Sequence, residues 1–247
     1  MNFLSSTVPS WVSLSFIFAF PIFIFMIANA AKSAAINAKF EAQKADTIYR
    51  TIVVFCMVYF IYTALMSFTG IFQVNAIPPR ILLFTAIPLL LFLFLVVFRT
   101  KIYWILLENA TLESLIRLHI FRFIGIYFLI AYVYAALPQS FALIAGIGDI
   151  IVAFTAIFVA NTVEKRKSYS HKLALLWNII GFWDIVSVVV TAVLVTKNAI
   201  ASGSSGILEM TCFPFSWIAA FAPASIIFLH ITIFKRLKMY KLEIESK

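Results

Sequence analysis

Residues 173–195 read LALLWNIIGFWDIVSVVVTAVLV, a run of 23 residues in which Asp184 is the one charged side chain. The hydrocarbon core of a bilayer is about 30 Å thick and requires a helix of about 20 apolar residues to cross it. A transmembrane β-barrel would instead show segments of about ten residues with alternating hydrophobicity. The stretch therefore predicts a transmembrane helix that carries a carboxyl group inside the membrane.

The composition extends this interpretation to the whole chain. Of the 247 residues, 64% are hydrophobic and 12% are charged, and the mean hydropathy is +1.05. A soluble domain is about 45–50% apolar and about 25% charged, so an ordinary soluble enzyme and a disordered chain are both excluded. We predict one all-α transmembrane domain over residues 1–247, a bundle of seven helices. The predicted spans cover about residues 11–31, 51–72, 81–98, 115–137, 141–160, 173–195 and 213–234, with a short interfacial helix at about 100–113.

The basic residues predict the orientation of the bundle. Fifteen of the 19 Lys and Arg residues lie in the loops 1–2, 3–4 and 5–6 and in the C-terminal tail, whereas Arg80 and Lys197 lie in the loops of the opposite side. Basic loops face the cytoplasm, so the N-terminus is predicted outside and the C-terminus in the cytoplasm of a cell inner (plasma) membrane. The net charge of +9 then predicts contact with anionic lipids at the cytoplasmic face. No nucleic-acid partner is predicted, because the charges sit in short loops.

A few polar side chains remain inside the predicted spans. An ionisable group in hydrocarbon costs roughly 2.5–3.5 kcal/mol on insertion scales and usually faces the bundle interior. Counted at about 1.5 Å per residue, Asp149 and Asp184 lie near the midplane at matching depth, with Arg122 and Asn178 nearer the cytoplasm. We predict that these four residues form a buried cluster. Its net charge is negative unless one carboxyl group is protonated.

Two histidines and a proline offer further candidate features. His119 and His230 lie near the cytoplasmic ends of spans 4 and 7, and a pair of imidazoles on facing helices can ligate a haem iron. The alternative is that both rings hydrogen-bond to backbone or water. Pro223 interrupts the hydrogen bonding of span 7, so a kink there could form a gate or a pocket, although such kinks are also common in passive membrane helices.

Catalytic patterns are missing from the sequence. It contains no Gly-x-Ser-x-Gly, no phosphate-binding loop and no dinucleotide fingerprint, which are the motifs of a nucleophilic serine and of nucleotide sites. A catalytic zinc needs three protein ligands and a water, and the spans hold only two histidines. An enzyme is therefore the least favoured class.

The second half of the chain carries an ordered set of short motifs. They are Arg122-Phe123-Ile124-Gly125, Leu137-Pro138 with Phe141-Ala142, Ala145-Gly146-Ile147-Gly148-Asp149, Trp177-Asn178-Ile179-Ile180-Gly181-Phe182-Trp183-Asp184, Phe213-Pro214-Phe215-Ser216 and Pro223 through His230. The set resembles an uncharacterised family of bacterial multi-pass inner-membrane proteins of about seven helices. The resemblance covers about residues 117–237 and implies a helical membrane protein without supplying an activity.

Three functions remain open from the sequence. The first is a small transporter, channel or ligand-binding protein whose Arg122, Asp149, Asn178 and Asp184 handle a proton, a cation or a small polar ligand. The second is a haem- or cofactor-binding electron-transfer protein that uses His119 and His230. The third is a structural or assembly subunit that forms a homo-oligomer or packs its Phe-rich surface against a partner in a membrane complex.

The predicted orientation can be tested with reporter fusions. A fluorescent protein that matures only in the cytoplasm, fused after Lys247, is expected to fluoresce. Alkaline phosphatase, which is active only outside, is expected to be active when it is inserted after Ser204. The opposite pattern of the two reporters would reverse the topology.

Overall fold

The described chain is built from membrane-length helices. The computed structural model describes residues 7–245, with side chains up to Met239. In this part of the chain there are no strands, and seven helices are long and apolar enough to cross a membrane. This confirms the predicted all-α fold with seven membrane-length helices, and the orientation of the termini stays a prediction. We call them spans 1 to 7, and they cover Ser10–Asn37, Ala42–Phe68, Leu82–Arg99, Leu112–Val133, Gln139–Glu164, Ser170–Ser202 and Ser216–Met239. The side chains of Lys241 and Lys247, assigned above to the basic tail, lie outside the described residues.

Several span boundaries differ from the apolar runs in the sequence: spans 1 and 6 continue to Asn37 and Ser202, and span 4 ends at Val133. The starts of spans 2 and 7 show the reason. Span 2 begins at Ala42 rather than near residue 51, because the polar residues before the apolar run continue the same helix. An ion pair joins this polar start of span 2 to span 1: Nζ of Lys32 lies 2.6 Å from Oδ1 of Asp46. Span 7 begins at Ser216 rather than at residue 213, so Pro214 lies before the helix and not inside it. Hydropathy marks the apolar segment, whereas backbone hydrogen bonds set the helix ends.

A short helix precedes span 4, as the sequence predicts. It covers Lys101–Asn109, and its first turn is capped by the Thr100 hydroxyl, which accepts from the backbone N–H of Tyr103. Span 4 then starts at Leu112, where the Thr111 hydroxyl accepts from the N–H of Ser114. Both threonines are N-caps: Thr100 begins the short helix and Thr111 begins span 4. A head-group position for the short helix stays a prediction.

The prolines act differently in the three spans that contain them. Span 1 is interrupted at Phe20 and Pro21, where two helical segments meet. Span 3 opens with a π-helical turn, Leu82–Ala86, just before Pro88. Pro223 lies inside the helix Ser216–Glu245, which continues past it. The kink at Pro223 therefore stays a prediction.

Span 7 is the central helix of the bundle. In its most apolar window 67% of the residues are buried, against 17% for span 3. Side chains of spans 2 and 7 tie the two helices together: the Tyr59 hydroxyl donates to the carbonyl of Ala220, and the Trp217 indole donates to the carbonyl of Phe60. Span 5 packs between spans 4 and 6, and span 6, with 33 residues, is the longest helix.

Glycines let spans 4 and 5 approach each other closely. A β-carbon on Gly125 would lie 2.5 Å from the β-carbon of Asp149, and one on Gly146 would lie 2.7 Å from the side chain of Leu129. Small residues at such crossings are typical of membrane helix packing. The glycine contact positions the backbone of span 5 directly beside that of span 4.

Replacing Gly125 by alanine tests this packing. The added methyl group has no space, so we expect Gly125→Ala to lower the free energy of unfolding by about 1–3 kcal/mol, measured as a lower melting temperature in detergent. The control is Ser140→Ala, at an exposed position of span 5, which is expected to change stability by less than about 0.5 kcal/mol. Equal melting temperatures for Gly125→Ala and the wild type would contradict the close approach.

Candidate functional site

A buried arginine lies where spans 4, 5 and 6 meet. Arg122 belongs to the tight 3-10 stretch Leu118–Gly125 of span 4, and its side chain is fully buried. Its Nε donates to Oδ1 of Asp149 at 2.6 Å, its Nη2 donates to Oδ2 of Asp184, and its Nη1 donates to the carbonyl of Gly181 at 3.3 Å. Arg122 thus holds both carboxylates and one backbone carbonyl at once.

The two aspartates come from neighbouring helices and differ in exposure. Asp149, on span 5, is almost completely buried, and the Asp184 side chain, on span 6, is 15% exposed. A β-carbon on Gly148 would collide with the carboxylate of Asp184. Glycine at this position therefore makes room for the second carboxylate beside span 5.

The charges in this cluster do not balance when every group is ionised. Arg122 carries one positive charge and stays protonated in proteins, while Asp149 and Asp184 can carry one negative charge each. Taking an unpaired charge out of water costs several kcal/mol. One proton on the carboxylate pair would bring the net charge to zero, so the cluster is suited to hold one proton.

Asn178 does not join the cluster that depth alone predicted. Its Nδ2 donates to the backbone carbonyl of His230 at 3.0 Å, and its Oδ1 lies 2.8 Å from Nδ1 of the same histidine. Six residues separate Asn178 from Asp184, and at about 100° per residue they lie about 120° apart around the helix. This angular offset, readable from the sequence, directs Asn178 toward span 7 instead of span 5.

The two candidate haem ligands are packed against each other. His119 and His230 are both fully buried, and their ring centroids are 4.2 Å apart with an angle of 34° between the planes. Two axial ligands must approach an iron from opposite faces of the porphyrin, so the macrocycle would have to pass between the rings. Rings in van der Waals contact leave no space for it, so the arrangement does not fit a haem held by this pair.

Metal ligation finds no other support in the described part of the chain. Between residues 7 and 239, no three or more His, Cys, Asp and Glu side chains form a group that could hold a metal ion. In the carboxylate cluster, the guanidinium of Arg122 occupies the position between the two aspartates that a cation would need.

A cavity reaches Asp149 from the side opposite the histidines. It has a volume of about 50 Å³, which is space for about three water molecules. Among the described residues that line the cavity, Asp149 is the one charged residue. The cavity extends along span 7 from Ile218 past Pro223 to Ile226, about 12 Å at the rise of a helix. No pattern in the sequence indicates this cavity, because it is formed by apolar side chains of five spans.

The segment between spans 6 and 7 lines the end of this cavity farthest from the Arg122 cluster. The short helix Leu208–Thr211 lies there, and Met210 and Thr211 line the cavity. Ser67 of span 2 donates to the carbonyl of Thr211 at 2.7 Å, and Thr7 donates to Oε2 of Glu209 at 3.0 Å. Burial raises the pKa of the Glu209 carboxyl group, and the hydrogen bond from Thr7 opposes that shift.

Comparison with known proteins gives a family. A family model described as "Domain of unknown function (DUF8737)" matches residues 78–238, which include every candidate site residue. No curated protein and no solved structure matches the chain.

The ionic cluster predicts a specific pattern of stabilities. Arg122→Leu leaves two buried carboxylates without a counter-charge, and we expect it to cost about 3–5 kcal/mol of unfolding free energy. The triple variant Arg122→Leu, Asp149→Leu and Asp184→Leu removes the charges together and is expected to unfold closer to the wild type. Melting temperatures in detergent measure both, and a triple variant less stable than Arg122→Leu would contradict the ionic coupling.

Proposed function

We propose that this chain, which belongs to the family of the domain of unknown function DUF8737, is a small membrane transporter that moves protons. The carboxylates of Asp149 and Asp184 would bind and release the proton, and Arg122 would hold the remaining charge. The observation that carries the proposal is that one buried guanidinium holds two carboxylates and that a cavity reaches one of them.

The geometry favours a proton over a metal cation or a larger ligand. A metal ion needs several oxygen ligands around it, and here Asp149 Oδ1 and Asp184 Oδ2 already accept from Arg122. A proton needs no such shell, and it removes the charge imbalance of the cluster. The cavity of about 50 Å³ admits water but no solute of the size of a metabolite.

Water in the cavity would connect Asp149 to the side of the membrane where the segment Leu208–Thr211 lies. The distribution of basic loops supports placing that side outside the cell, with the C-terminus in the cytoplasm of an inner (plasma) membrane and basic residues on anionic lipids. The proposed proton would thus enter or leave from the outside.

The other two functions inferred from the sequence have less support. Electron transfer through His119 and His230 conflicts with the contact between their rings. A structural or assembly subunit, as a homo-oligomer or in a membrane complex, would use the Arg122 cluster only to hold three helices together. Such a subunit would carry no proton flux, so the same experiment separates the two proposals.

Proton flux into reconstituted vesicles tests the proposal. Purified protein is placed in vesicles that contain a pH-sensitive dye, and a potassium gradient with valinomycin drives proton movement. We expect the wild type to acidify or alkalinise the lumen faster than empty vesicles. Asp149→Asn and Asp184→Asn are expected to reduce the rate to that of empty vesicles, because neither amide can carry the proton.

The control is Glu164→Gln, which alters an exposed carboxylate paired with Arg117 near the end of span 5. It is expected to keep the wild-type flux. Wild-type vesicles that behave like empty ones would overturn the proposal in favour of a structural subunit. A wild-type rate in folded Asp149→Asn and Asp184→Asn would show that the flux does not use these carboxylates.

A further inference from the structure

We propose that Nε2 of His230 is a second proton-accepting site and that protons leaving the carboxylate pair pass to it. Asn178 keeps this nitrogen free of hydrogen by holding the ring hydrogen on Nδ1. The assignment of the ring hydrogen rests on hydrogen bonds alone. The passage of protons rests on the proposed function, and the experiments below separate the two.

The orientation of the Asn178 amide is fixed by the backbone. A carbonyl oxygen can only accept a hydrogen bond, so the group of Asn178 that lies 3.0 Å from the carbonyl of His230 must be the NH₂ group. The amide oxygen then faces the imidazole, 2.8 Å from Nδ1. A flipped amide would bring its oxygen against the carbonyl oxygen of His230 and lose the hydrogen bond to the backbone.

The amide in turn fixes the tautomer of His230. An amide oxygen can only accept, so Nδ1 of His230 has to carry the hydrogen and donate it. A neutral imidazole holds one ring hydrogen, and the other nitrogen is an acceptor. Nε2 of His230 is therefore the ring nitrogen with the free lone pair, and it is buried inside the bundle without a hydrogen bond of normal geometry. The nearest backbone acceptor is Gly181, to which a protonated Nε2 would donate.

This base lies beside the residue that also contacts the arginine. A β-carbon on Gly181 would lie 2.6 Å from Cε1 and 3.0 Å from Nε2 of His230, so the ring rests directly on the glycine backbone. The carbonyl of the same glycine accepts from Nη1 of Arg122. Gly181 thus contacts both the imidazole of His230 and the guanidinium that holds the two carboxylates.

His119 extends the path away from the carboxylates. It is fully buried, neither of its ring nitrogens has a hydrogen bond, and its ring lies against His230 on one side and Trp177 on another. Besides His119, the charged groups near His230 are Arg122 of span 4 and, through it, Asp149 and Asp184. The cavity and the histidine pair therefore lie on opposite sides of the Arg122 cluster.

The proposed step balances in protons and charge. A carboxylic acid of the pair releases its proton and becomes a carboxylate, and Nε2 of His230 gains the proton, so the ring becomes an imidazolium with a hydrogen on each nitrogen. Arg122 keeps its protons throughout. His230 then passes the proton to His119 or returns it. The Nδ1 hydrogen stays on the ring at every stage, hydrogen-bonded to Oδ1 of Asn178.

The tautomer can be read by nitrogen NMR on the full chain, labelled with ¹⁵N-histidine in lipid nanodiscs. The chain has three histidines, and single variants of His119, His171 and His230 to Gln assign their signals. We expect His230 in the Nδ1–H form at alkaline pH. Asn178→Leu should lose this form, whereas Asn178→Asp, which keeps an oxygen facing Nδ1, should retain it.

An Nε2–H signal for His230 in the wild type, or an unchanged Nδ1–H signal in a folded Asn178→Leu protein, would overturn the assignment. Neither result depends on proton transport. The tautomer assignment and the proposed function therefore fail independently.

The passage of protons is tested in the vesicle assay with His230→Gln. Because a positioned proton acceptor contributes about a hundredfold or more to a transfer rate, we expect the flux to fall by about a hundredfold. His171→Gln is the matched control, since this ring lies at the end of the bundle near the carbonyl of Leu237. If Asp149→Asn abolishes the flux and folded His230→Gln keeps it, the carboxylate proposal stands and the second site is wrong.

Discussion

The guanidinium of Arg122 must find all its hydrogen-bond acceptors inside the protein, because hydrocarbon offers none. This requirement explains the crowding of the surrounding backbone. Gly125 and Gly146 let spans 4 and 5 meet, and Gly148 and Gly181 leave space for Asp184 and His230. A side chain at any of these positions would separate helices that the arginine has to bridge. The ion pair and the glycine contacts therefore depend on each other.

The same arrangement gives two neighbouring sites with different chemistry. On one side of Arg122 are carboxylates beside a cavity, and on the other is a stacked pair of imidazoles with an asparagine. Arg122 lies between them, bonded to both carboxylates and to the carbonyl of Gly181, which also contacts His230. Under the proposed function, this cation would interrupt a continuous file of water. Such a barrier is useful to a protein that must move protons without opening a pore to other ions.

The seven helices could be predicted from the sequence, because span length is a one-dimensional property of the chain. The orientation inferred from the basic loops stays a prediction. The depth of Arg122, Asp149 and Asp184 followed from counting residues, and the structure brings these three together. Asn178 was misplaced because depth ignores the angle around the helix, and the contact between His119 and His230 was not visible for the same reason. The cavity depends on gaps between five helices, and no local pattern in the sequence encodes it.

The length of span 6 has a mechanical consequence. Its 33 residues make a rod of about 50 Å, while the hydrocarbon layer measures about 30 Å. The excess must tilt or stand out in the water. Its last residue, Ser202, lies five positions before Ile207, the first cavity-lining residue of the following loop. Between them, Asn75 donates to the carbonyl of Ser204. Bilayer thickness, which sets the tilt of such a rod, is therefore coupled to the loop that lines the end of the cavity leading to Asp149.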